Sequence, residues 1–245
     1  LAAHVIGFVN HESIAVSGVE KMCDYYLKGQ DGWIETEKDG RRKELPHKRS
    51  REILPINGNN VYLTLDQRIQ SSVERVIDSV VNFYNPEGVS IIVSRPKDGA
   101  ILALANYPTF NLNEFNNTKL YPILYQKNRA ITDIFEPGST FKIVPASAVL
   151  NESLIQTNDI FNTGEPFVSY KNRKLKLPND HKEYPSLSMK DIIVKSSNRG
   201  AAHLGMHLGE DRLYKYAKLF GFGSVTNLGL AGEISGSLKC KDEWD

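Results

Sequence analysis

Two short constellations in the chain carry side chains able to do covalent chemistry. Ser139-Thr140-Phe141-Lys142 follows directly on Pro137-Gly138. In a helix, residues three apart lie ~60° apart around the axis and ~4.5 Å along it, so a hydroxyl and an amine at this spacing can meet on one face. Serine is a weak nucleophile until a neighbour takes its proton, and a lysine of lowered pKa can do so. A helix start adds positive potential where an oxyanion would develop. Some fifty residues on, Ser196-Ser197-Asn198 sits between two predicted helices. It supplies a second hydroxyl to relay a proton and an amide to hold the lysine and a substrate. Read alone, either motif is a helix cap or turn with a surface lysine beside it. In this order the pair points to serine acyl transfer.

The Ser-x-x-Lys spacing is not unique in the chain. Ser94-Arg95-Pro96-Lys97 matches it, but Pro96 and the Asp98-Gly99 turn forbid a helix there, so that copy is read as chance. His203 and His207 have the spacing of a zinc pair; Leu204 stands where His-Glu-x-x-His needs its acid and no third ligand is evident, so exposed helix histidines are the better reading. Phe220-Gly221-Phe222-Gly223 is too sparse for a phosphate loop and reads as a helix-to-loop turn. Trp33 and Trp244 are read as local packing.

The elements that must position these groups are legible in part. Val5–Val9 reads as a short strand and Val19–Leu27 as a short helix ended by Lys28-Gly29. Lys38–Arg51, with seven cations and two acids, is read as a solvated hairpin and linker rather than a nucleic-acid or lipid patch. Pro55-Ile56-Asn57-Gly58 marks a boundary. Val61–Leu65 reads as a strand, Asp66 as an N-cap, and Gln67–Tyr84 as an amphipathic helix ending at Asn85-Pro86. Gly88–Ser94 and Ala100–Ala105 form a hairpin through Pro96–Gly99, and Asn106–Asn128 is loop. Ser139–Leu150 reads as a helix with Pro145 an irregularity inside it, and Phe161–Pro185 as irregular and polar. Ser188 caps a short helix to about Lys195, and Asn198–Leu208 and Asp211–Phe220 are two more, the last closed by Gly221.

Composition sets the bounds. The 245 residues carry 30 Lys+Arg and 29 Asp+Glu, so no global field draws nucleic acid or acidic substrates. The apolar content suits one large core or two smaller ones and excludes a disordered chain. Cys23 and Cys240 form neither a disulfide framework nor a metal motif. No apolar run approaches the ~20 residues of a membrane span. The chain opens on Leu1, so it is expected to be a piece of something longer, with any anchor upstream.

Asn128-Arg129-Ala130-Ile131-Thr132-Asp133 followed by Glu136-Pro137-Gly138-Ser139-Thr140-Phe141-Lys142 resembles the nucleophile region of class B penicillin-binding proteins, in the form of the division-specific, septal subgroup. Lys195-Ser196-Ser197-Asn198, Phe220–Gly223 and Gly232-Glu233-Ile234-Ser235-Gly236 are similar to the same subgroup. Leu1–Asn57 resembles the membrane-distal end of that family's pedestal. The resemblance implies an α+β transpeptidase fold, an antiparallel sheet flanked by helices, C-terminally truncated and with part of an N-terminal pedestal. Residues 1–57 are the expected pedestal end and linker, and 58–245 the N-terminal part of the transpeptidase domain.

The activity it implies is D,D-transpeptidation of peptidoglycan, with β-lactams acylating the same serine. Ser139 is the expected nucleophile, Lys142 the general base, Ser196 the proton relay, and Asn198 the partner of Lys142 and of the substrate amide. No metal or organic cofactor is implied. The expected partners are D-Ala-D-Ala stem peptides, penicillin and other β-lactams, and division-machinery membrane proteins including a glycosyltransferase, with no nucleic acid. The expected location is the extracytoplasmic face of the inner or plasma membrane, by an anchor absent from this chain. The departure is at the C-terminus: the family's third motif, Lys-Thr-Gly, is missing before Asp245, and Asn162-Thr163-Gly164 is out of order and lacks the cation. The chain alone is therefore expected to be inactive or weakly active. A β-lactamase or β-lactam sensor and a non-catalytic division scaffold are the alternatives.

Overall fold

A computed structural model describes residues 1–244; Asp245, the last residue of the expected transpeptidase segment, lies outside the described residues. The chain divides into two compact units, one of residues 1–133 with 227–233, the other of residues 134–226 with 234–244.

In the first unit the N-terminal residues form three short helices, α1 (Ala3–Ile6), α2 (Gly18–Met22) and α3 (Asp24–Leu27). The strand read at Val5–Val9 is thus a turn of helix; only Val9 makes a bridge, to Ala15. Five apolar-rich residues are too few for periodicity to separate the two forms, and burial of Ala3, His4 and Val5 decides for helix. A charged two-stranded ribbon follows, β1 (Trp33–Glu35) against β2 (Arg51–Ile53).

Val61–Leu65 makes no strand either. It runs beside the sheet without a ladder, tied by Thr64 Oγ1 donating to the Ile101 carbonyl at 2.6 Å. Asp66 then caps α4 (Gln67–Tyr84), its carboxylate accepting from the N–H groups of Arg68 and Ile69. The apolar stripe of α4, through Val73 and Ile77, packs on the hairpin of β3 (Val89–Ser94) and β4 (Ile101–Tyr107). Gln70, fully buried, accepts from the Leu104 N–H at 2.9 Å and donates to its carbonyl at 3.0 Å, so a side-chain amide stands where a third strand would pair with β4. Asn106 and Asn128 are likewise buried, joined at 2.8 Å below α5 (Arg129–Thr132).

The second unit is built around a helical core. A 3₁₀ turn, Gly138–Lys142, leads straight into α6 (Ile143–Asn151). Because the α-helix begins only at Ile143, Pro145 falls in its first turn, where the missing N–H has no intrahelical bond to lose. The stretch read as irregular holds most of β5 (Ile160–Asn162) and all of β6 (Phe167–Tyr170) and β7 (Arg173–Lys176), and β8 (Ser186–Ser188), just beyond it, pairs back onto β5. β6 and β7 turn through Lys171-Asn172, both left-handed, a primed hairpin turn made without glycine.

Then come α7 (Met189–Val194), α8 (Asn198–Leu208) and α9 (Glu210–Leu219). Val144, Ala148 and Val149 of α6 pack with Ile192 of α7, Leu204 and Leu208 of α8 and Ala217 of α9. Gly200 matters to that packing: a Cβ there would meet the Ile192 side chain at 2.4 Å, so only glycine lets α8 lie this close to α7.

Candidate active site

The turn that carries Ser139 is shaped by its entry. Gly138 has φ +58 with open space where a Cβ would stand, so the demand for glycine there is one of backbone conformation, not room. Phe141 anchors the turn against the core, edge-on to Phe222 at 5.2 Å. In a 3₁₀ turn residues three apart eclipse each other, so Ser139 and Lys142 share one side more closely than an α-helix would place them. Ser139 is exposed, and its hydroxyl has no hydrogen-bond partner among the described residues. Its N–H, at the second position of the turn, is among the donors a helix start leaves free.

Lys142 reaches the other motif. Its Nζ donates to the Ser196 carbonyl at 2.5 Å and to the Ser196 hydroxyl at 3.0 Å. Burial lowers its proton affinity below the ordinary lysine value, and the field of Asp180 opposes that in part. A groove of about 320 Å³ opens beside it, lined among others by Gly138, Phe141, Lys142, Ala201 and Met206.

Ser196 holds this position through strain. The N–H of Ser196 bonds the Ile193 carbonyl and that of Ser197 the Ile192 carbonyl, the paired bonds that close a helix through a left-handed residue. That residue is usually glycine. Here it is Ser196, at φ +53, a conformation costing about 1–3 kcal/mol for a residue with a side chain. Ser197, buried, then caps α8, its Oγ accepting from the Gly200 N–H at 2.9 Å. One residue thus forms the joint between α7 and α8 and points its hydroxyl at the amine.

The four residues singled out from sequence are not all in contact. Lys142 and Ser196 are bonded. The Asn198 amide donates instead to the Asn179 carbonyl at 2.8 Å, and the bond expected from Asn198 to Lys142 is not made in this structure. Three neighbours were missed. The Asp180 carboxylate accepts from Ser197 Oγ at 2.6 Å, from Arg199 N–H at 3.2 Å and, closely, from Asn198 N–H. Asn179 receives the Asn198 amide. Arg199, buried, donates to the carbonyls of Thr163 at 3.0 Å and Gly164 at 2.8 Å. No spacing rule links Asn179 or Asp180 to residues near 198; only the folding back of the 177–185 stretch does.

The residues set aside behave structurally. Ser94 ends β3, and Lys97 lies in an exposed turn held by Arg95 and Asp98, whose closest approach is 2.7 Å. Thr163, fully buried, donates to the Tyr184 carbonyl at 2.7 Å, and Asn162 caps the following N–H groups. His203 is not exposed as expected: it is half-buried beside Phe161, and burial pushes its pKa down. Trp244 sits against Tyr214, with its indole N–H on the Lys239 carbonyl.

Residues 89–244 match the penicillin-binding protein transpeptidase domain. The chain belongs to the penicillin-binding protein transpeptidase family. It is 33% identical over 244 residues to peptidoglycan D,D-transpeptidase FtsI of Escherichia coli K12, covering all of this chain and 40% of that protein. Stage V sporulation protein D of Bacillus subtilis is 30% identical, over 96% of this chain and 36% of its own length. Among solved structures, penicillin-binding protein 3 of Mycobacterium tuberculosis in complex with aztreonam superposes with a TM-score of 0.81 at 29% identity, over the whole of this chain and 50% of that one. The α+β transpeptidase fold and class B membership therefore stand, and the chain spans about 40% of the length of the FtsI relative it matches.

Proposed function

We propose that the intact protein is a peptidoglycan D,D-transpeptidase of septal wall synthesis. Ser139 Oγ attacks the carbonyl of the penultimate D-Ala of a stem peptide, and its proton passes to neutral Lys142. The C–N bond to the terminal D-Ala breaks as Ser196 hands a proton to the leaving amine, Lys142 reprotonating Ser196. The amine of a second stem attacks the acyl-enzyme, releasing Ser139 and forming the cross-link. The Ser139 N–H is one oxyanion donor, and Asn198, freed from Asn179, holds the substrate amide. A β-lactam enters at the first step.

The observation that carries this reading is the Lys142 amine, of lowered proton affinity, bonded to the Ser196 hydroxyl three residues after an exposed serine. That the FtsI relative is named a peptidoglycan D,D-transpeptidase weighs for it over a β-lactamase, a sensor or a scaffold. The septal assignment rests on the form of Asn128–Asp133 and Glu136–Lys142. With it go the extracytoplasmic location, an upstream membrane anchor, division-machinery partners and the pedestal reading of residues 1–57.

The test supplies the intact protein with a D-Ala-D-Ala pentapeptide and an amine acceptor. Release of D-Ala with a cross-linked product, both lost in Ser139→Ala, is the expected result. Undiminished D-Ala release by that variant contradicts it.

A further inference from the structure

We propose that Asp180 is a positioning residue of acylation, holding the Ser196–Asn198 joint so that the Ser196 hydroxyl stays on Lys142. The proposal rests on the functional reading above. A helix start leaves four N–H groups without partners. At α8 the Asp180 carboxylate takes those of Asn198 and Arg199, and the Ser197 hydroxyl, itself donating to Asp180, takes that of Gly200. One carboxylate therefore fixes three consecutive residues, Ser197 to Arg199, by charge-assisted bonds at the positive end of an eleven-residue helix.

Ser196 is the residue immediately before them, in a backbone conformation that it would leave if it were free to. Holding Ser197 on one side and the end of α7 on the other keeps Ser196 left-handed. Arg199 braces the same joint from beneath, on the Thr163 and Gly164 carbonyls.

Asp180 also acts on Lys142 through space. The groups facing Lys142 are Ser196 at the α7–α8 joint, Asp180 from the 177–185 stretch, and, around the groove, Tyr170 of β6 and Glu210 of α9. Glu210 is paired with Lys171 at 2.6 Å, and Asp180 is the acid whose field raises the proton affinity that burial lowers. Removing its charge leaves Lys142 easier to deprotonate while loosening its partner. A residue that merely supported the fold would not do both.

The experiment measures acylation of the intact protein by a fluorescent penicillin across pH, with folding followed by thermal unfolding. Asp180→Ala loses both bonds and charge, and is expected to acylate about 10²-fold more slowly, the cost of a ~1 Å misplacement. Asp180→Asn keeps the shape and one acceptor; it is expected to stay folded, to lose less rate, and to move the acid limb of the pH–rate profile to lower pH. Asp98→Asn, in the β3–β4 turn, is the control and leaves both unchanged. An Asp180→Asn rate within two-fold of the parent, or a limb that does not move, overturns the proposal. Labelling that persists in Ser139→Ala would instead break the functional reading, whatever Asp180 does.

Discussion

Ser94–Lys97 and Ser139–Lys142 share one spacing and part company in everything else. The first lies where β3 gives way to a turn, and the neighbours of its lysine, Arg95 and Asp98, pair with each other in solvent. The second lies in a 3₁₀ turn whose entry, anchor and exit are each set by other residues: Gly138 by its backbone, Phe141 by its packing, Pro145 by its place in the first turn of α6. Lys97 makes no side-chain hydrogen bond or ion pair among the described residues, whereas Lys142 is partly desolvated and donates to a strained serine from another helix junction. A motif of two residues acquires chemistry from the backbone between them and from what the far residue meets. The spacing alone carries none of it.

Substitutions at the two lysines sharpen that contrast most. Lys142→Ala is expected to slow acylation by penicillin about 10²–10⁴-fold, the range for losing acid–base assistance, and Lys97→Ala to leave it unchanged. Stopped-flow acylation of both variants in the intact protein checks this, and equal rates in the two would erase the distinction.

The pH profile comes next. Protonated Lys142 cannot take the Ser139 proton, so acylation is expected to fall as pH drops through a limb below the ordinary lysine value near 10.4. The same depression makes the unfolded chain bind more protons than the folded one between the lowered and the ordinary value, so the Lys142 contribution to stability rises with pH across that window. Lys142→Met should remove that rise, and urea melts of the parent and variant at several pH values measure it.

Smaller in size but sharper in meaning is Ser196→Gly. Glycine adopts the left-handed joint without strain, so stability is expected to rise by about 1 kcal/mol, read from the urea midpoint, while acylation is expected to fall because the relay hydroxyl is gone. A variant neither stabilised nor slowed would show that the strain at Ser196 serves nothing. The smallest effect is expected at the exposed Arg95–Asp98 pair, where Asp98→Asn should leave the urea midpoint unmoved within error.

Much of this frame was legible in the sequence where one local rule acted alone. Asp66 and the 3.6-residue stripe of Gln67–Tyr84 define α4 end to end, and Pro96–Gly99 between two apolar runs defines the β3–β4 hairpin. Legibility failed where tertiary contacts decide. Val61–Leu65 has a strand's composition, but Gln70 occupies the β4 edge at Leu104. The β6–β7 hairpin hides behind a Lys-Asn turn and a second strand, Arg173–Lys176, that is basic and exposed throughout. At the candidate site, motif and resemblance single out Ser139, Lys142, Ser196 and Asn198, of which the structure bonds Lys142 to Ser196. Asp180 and Arg199 were not legible, because their contacts exist only once the 177–185 stretch and the 162–165 loop fold against the start of α8.

The central claim is that Ser139, and not its copy in the hairpin, is the residue that becomes acylated. Treating the intact protein with penicillin, digesting it and mapping the adduct by mass spectrometry tests it most directly. The account predicts one penicilloyl group, on the peptide carrying Ser139-Thr140-Phe141-Lys142, and none on the peptide carrying Ser94. An adduct on Ser94, or one that survives Ser139→Ala, would contradict it.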